Sequence, residues 1–158
     1  MRKKVFVVVL ILALAVSAVT AGQMREGIAV GASVGAPFSF TVVGDYNFGA
    51  ASAAVSLGFK NLFPGSGYFD LALEGMYHLP FTLSASDDLF MLYPSVGGRL
   101  DLQFGTTTII SLGPQLALYY QMEDLPVRIF AKANPHFSIA TGLFRLSMAG
   151  EAGALWQF

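Results

Sequence analysis

From Phe38 onward the chain alternates. Phe38, Phe40, Val42, Gly44, Tyr46 and Phe48 fall on one parity, and Ser39, Thr41, Val43, Asp45 and Asn47 fall on the other. Successive side chains of a β-strand point to opposite faces, so this run predicts a strand with one apolar and one polar face. A shorter alternation over 27–35 precedes it. Six more come after it, over 51–60, 68–84, 89–104, 107–122, 126–140 and 143–158. The third begins Ala51-Ser-Ala-Ala54, which also suits a helix start. The intervening stretches Ala36-Pro37, 61–67, 85–88, Gly105-Thr106, 123–125 and Thr141-Gly142 carry turn chemistry. The pattern therefore predicts eight antiparallel strands, several longer than the roughly 9–11 residues that cross a bilayer. Pro94, Pro114 and Pro135 fall inside three of them, and each predicts a bulge or a lost ladder bond.

Composition selects the solvent for the apolar face. The chain is 54% hydrophobic and 12% charged, far poorer in charge than the roughly 25% of a soluble domain. Arg2-Lys3-Lys4, the apolar run from Val5 to Val16 and Val19-Thr20-Ala21 together predict a cleaved signal peptide over 1–21. The run is shorter than the roughly 20 residues a spanning helix needs. Residues 22–158 then form a single apolar domain without a helical span. In lipid, backbone groups outside helices are all paired only when a sheet closes on itself. The prediction is an all-β, eight-stranded antiparallel up-and-down transmembrane barrel.

Charge placement separates this reading from a soluble β-sandwich, in which the apolar face would be a core. Of the charged residues after Gly22, Arg25, Glu26, Asp87, Asp88, Glu123 and Asp124 lie outside the predicted strands. The other ten share the polar parity: Asp45, Lys60, Asp70, Glu74, Arg99, Asp101, Arg128, Lys132, Arg145 and Glu151. Five are acidic and five basic, a balance suited to an enclosed space where an isolated charge is costly. Aromatic residues of the apolar parity crowd toward strand ends: Phe38, Phe48, Phe59, Phe69, Phe90, Phe104, Tyr120, Phe144, Trp156 and Phe158. Girdles of this kind mark both rims of a membrane barrel.

The stretch Glu151-Ala-Gly153-Ala-Leu-Trp156-Gln-Phe158 resembles the carboxy-terminal assembly signal of bacterial outer-membrane barrels: polar residue, Gly, aromatic, and a final aromatic. By strand count, parity and this signal, the chain resembles the small eight-stranded barrels of the OmpA and OmpX type. The resemblance implies residence in the bacterial outer membrane, contact with its lipids, and recognition of Glu151, Gly153, Trp156 and Phe158 by the barrel-insertion machinery. It also implies a structural or envelope-stabilising role.

An eight-stranded barrel is just wide enough to be filled by its own side chains, so a polar plug is expected in place of an open pore. Tight hairpins would set Glu74 opposite Arg99, Lys132 opposite Glu151, and Gln121 opposite Arg128. Gly31, Ser33, Ser52, Ala54 and Ser56 are small, which leaves room for a narrow path for ions or small solutes. His78 and His136 lack partners at ligand spacing, and neither a metal nor another cofactor is expected. His136-Phe-Ser138 with the later Glu151 is similar to the His-x-Ser and Glu arrangement of outer-membrane lipid A deacylases. Ile139 stands where that family has asparagine, and all three residues share the luminal parity, so the reading is of a non-enzyme. Nothing resembles a basic nucleic-acid surface.

Overall fold

The computed structural model describes residues 24–60, 67–85, 90–140 and 142–158. The predicted signal peptide, the connection over 61–66, Asp87, Asp88 and Thr141 lie outside the described residues. Among the described residues there are nine strands: β1 (Gly27–Ala36), β2 (Ser39–Asn47), β3 (Ala51–Lys60), β4 (Tyr68–His78), β5 (Leu83–Ala85), β6 (Phe90–Phe104), β7 (Ile109–Gln121), β8 (Val127–Ala140) and β9 (Leu143–Gln157). Antiparallel pairing runs β4-β3-β2-β1-β9-β8-β7-β6, and β4 pairs β6 to close the ring. The fold is a closed eight-stranded antiparallel barrel, all β, with β5 as a three-residue addition on β6. The Ala-rich start of β3 is strand, because both of its neighbours hold it by the ladder.

Strand four was expected to run to Ser84 but stops at His78. Pro80 has no N–H to give the ladder, and the chain resumes pairing only at Leu83↔Leu92, two residues out of step with His78↔Ser95. Pro94 faces this interruption. Its carbonyl accepts the Leu79 N–H at 2.9 Å, and because N and C=O of a residue in an antiparallel strand point the same way, its missing donor falls where β4 has already ended. Pro94 therefore keeps its place opposite Leu118 without a bulge.

The ring is staggered. Pairing leads from Val30 through Gly44, Val55, Leu73, Leu100, Leu112, Phe137 and Leu146, and back to β1 at register position 40, ten residues beyond the start. With eight strands, that stagger tilts them by about 40°.

Parity sorts the two faces. Large apolar residues cover the outside, among them Phe38, Leu57, Leu112, Leu146 and Trp156. Phe59, Phe69 and Phe104 on three successive strands touch in sequence, with ring centroids 5.9 and 6.5 Å apart. Inside, the buried polar residues outnumber the buried apolar ones. That is the reverse of a soluble core.

Candidate functional site

The end of the barrel that carries Gly27 and Gln157 is corked. Met24 is 2% exposed and packs with Ala29, Val43, Ala54, Met76 and the rings of Tyr119 and Phe130. Gln157 Nε2 holds the cork by donating to the carbonyls of Arg25 (2.7 Å) and Glu26 (3.0 Å). Arg25 N–H in turn donates to Gln121 Oε1 at 3.0 Å. Behind the cork, fully buried Arg128 reaches across the lumen to Asp45 Oδ1 at 2.6 Å. His78 meets Tyr119 edge-on and shares a 2.7 Å hydrogen bond with Ser95.

Farther in lies the larger ionic cluster. Arg99 Nη1 contacts Glu74 Oε1 at 2.7 Å and Glu151 Oε2 at 2.9 Å, while Nε donates to Asp101 Oδ1 at 2.9 Å. Lys132 Nζ lies 2.5 Å from Glu74 Oε2 and 3.4 Å from Glu151 Oε1. Lys60 Nζ lies 2.5 Å from Asp101 and 3.2 Å from Asp70. Three cations thus face four carboxylates, and each cation bridges at least two of them. That arrangement offsets the desolvation of charges withdrawn from water.

Nine of the ten strand charges singled out in the sequence sit in these two clusters. Arg145 does not: it is exposed, and among the described residues it makes no ion pair. Glu74 stands opposite Arg99, Lys132 opposite Glu151 and Gln121 opposite Arg128 in the ladder. The first two pairs touch. In the third, Arg128 turns to Asp45, because a charge-assisted bond outweighs a neutral amide, and Gln121 Nε2 donates to Gln157 Oε1 at 2.8 Å. The assembly-signal residues divide by face. Trp156 and Phe158 point outward, Glu151 joins the ionic cluster, and Gly153 makes room for the Phe130 ring.

Beyond the clusters a cavity of about 1040 Å³ opens toward the other end. It lies beside β8 and β9, not beside the small residues of β1 and β3. Of those, Ala54 packs in the cluster of Tyr119, Phe130 and Met76, Ser33 Oγ bonds Thr41 Oγ1 and Ser56 Oγ donates to Glu74. The open space arises instead where the luminal positions of β8 and β9 are Ser138, Ser147 and Ala149. The cork and the aromatic layer went unseen in the sequence, although aromatics on the polar parity, Tyr93, Tyr119 and Phe130 among them, were the available signal.

His136, Ser138 and Glu151 are bonded elsewhere. His136 Nδ1 lies 3.0 Å from the Asn134 carbonyl, Ser138 Oγ shares a 2.8 Å bond with Ser111 Oγ, and Glu151 is held by Arg99 and Lys132. Among the described residues no group of His, Asp and Glu side chains is arranged to hold a metal ion. Compared with protein-family models, with curated proteins and with solved structures, the chain matches none of them.

Proposed function

We propose that the protein is an integral barrel of the bacterial outer membrane, with a polar lumen filled by its own side chains at one end and a structural, non-enzymatic role in the envelope. One observation carries the reading: the large apolar residues face outward all round the ring, while nine of its ten strand charges are locked inside. A continuous apolar surface of this extent calls for lipid as its solvent. In this reading its architecture is of the OmpA and OmpX type, 1–21 is removed on export, and the insertion machinery reads the stretch ending at Phe158.

Of the alternatives, a narrow pore is opposed by the Met24 cork and the Tyr119–Phe130 layer behind it. A deacylase-like activity is opposed by the separate bonding of His136, Ser138 and Glu151. The test is to fold the protein from urea into liposomes. A band that shifts on boiling, with no steady conductance across a planar bilayer, is the expected result. Discrete conductance would favour the pore, and folding as a lipid-free soluble monomer would overturn the membrane reading. Lipid A acylation is expected to be the same with His136→Ala or Ser138→Ala as with the unaltered chain.

A further inference from the structure

The barrel wall has a gap on one side. β1 ends at Ala36, which pairs with Gly150, whereas β9 runs on to Leu143. On its β1 side, the stretch 143–149 therefore has no strand neighbour among the described residues. The ten-residue stagger produces this, because a β1 that ended level with β9 would have to continue well past Pro37.

The cavity reaches the gap. Residues 145–151 line it without interruption, Arg145 and Ser147 among those on the luminal parity and Leu146 and Met148 among those on the outer one. An unbroken run of lining residues places the cavity along the bare edge of β9. Leu146 and Met148 are 65% and 71% exposed, among the most exposed apolar side chains of the wall.

The inner part of the cavity is polar. Ladder pairing sets Arg145 opposite Ser138 and Ser147 opposite His136, next to the gap. Gln115 lines the same space, is 1% exposed, and has neither amide atom hydrogen-bonded. A buried amide without partners is costly. Its presence in a cavity that also carries the unpaired guanidinium of Arg145 marks a place built for a polar group that the described residues do not supply.

We infer that this cavity binds a single-chain amphiphile with a compact anionic head, such as a long-chain carboxylate, entering sideways between β1 and β9. The head lies at Arg145 near Ser138 and His136, four residues along β9 from the level of Gln115, and the chain leaves over Leu146 and Met148 into the surrounding lipid. An anionic head is selected because Lys60, Arg99 and Lys132 are each held between carboxylates, which leaves Arg145 as the lining cation that makes no ion pair among the described residues. The inference rests on the membrane-barrel reading.

The test uses the full chain folded into phosphatidylcholine liposomes containing a diazirine-bearing palmitate, with crosslinked peptides mapped by mass spectrometry. Labelling is expected to concentrate on 143–149, to saturate, and to be competed by palmitate but not by hexadecanol. Arg145→Gln should weaken it about tenfold or more, as expected on losing one charge-assisted contact, and Arg145→Lys should restore most of it. Labelling spread evenly over the outer wall, competition by hexadecanol equal to that by palmitate, or indifference to Arg145→Gln would each overturn the inference. Heat-modifiability is read on the same liposomes. A sample that shifts on boiling yet labels without preference refutes the amphiphile site alone, whereas one that fails to shift refutes the membrane barrel beneath it.

Discussion

Pro114 stands directly opposite Pro135 across β7 and β8, and the ladder between those strands is interrupted only around that point. Pairing stops after Leu112↔Phe137 and resumes at Leu116↔Ala133 in the same register. Two residues without N–H donors have been placed face to face, so one short gap absorbs both losses and no bulge is needed. Asn134 closes part of the gap by donating Nδ2 to the Pro114 carbonyl at 2.7 Å. Asn134→Ala should therefore leave a carbonyl without its partner and cost about 1–2 kcal/mol. A urea midpoint in liposomes unchanged by the substitution would show that the bond contributes nothing.

Arg99 touches Glu74, Asp101 and Glu151. Arg99→Met should be far more damaging than loss of an ordinary surface arginine, by about 3–5 kcal/mol, because it strands buried carboxylates. Combining it with Glu74→Gln should recover part of that loss. The informative quantity is the coupling in a double-mutant cycle, expected to exceed about 1 kcal/mol.

Arg145 provides the contrast. It shares the parity of the other nine strand charges but is exposed and makes no ion pair among the described residues. Arg145→Gln should shift stability by no more than about 0.5 kcal/mol. A larger loss in the unfolding curve would mean that the side chain has a structural partner.

The contrast also shows what a sequence can disclose about such a molecule. Which face each side chain takes is set by a period of two, so the lumen-facing parity of Asp45, Glu74, Arg99 and Lys132 was legible in the bare chain. The pairing of Glu74 with Arg99 was legible too, because the register expected from a turn at 85–88 is the one that β4 and β6 keep. Contacts across the lumen, such as Arg128 with Asp45 or Arg99 with Glu151, depend on the stagger of the whole ring, which no local pattern encodes. The break after His78 escaped because alternation continues through Pro80 with its parity intact. Arg145 could not be told apart from its neighbours, since its exposure is decided by where β1 ends, on the other side of the barrel seam.

Gly153 supplies the last prediction. A Cβ there would lie 2.4 Å from the Ala32 carbonyl oxygen and 2.7 Å from Phe130 Cζ, so both the β1 backbone and the aromatic layer need this position bare. Gly153→Ala should destabilise the folded barrel by about 1–3 kcal/mol. Phe130→Leu in the same chain should return part of that loss, since a shorter side chain relieves the ring contact but leaves the clash with the Ala32 carbonyl. This separates two roles for one residue. If Gly153 serves packing, the deficit appears in purified protein folded without any insertion machinery and responds to Phe130→Leu. If it serves recognition by that machinery alone, purified Gly153→Ala protein folds with the stability of the unaltered chain, and the deficit appears only in cells.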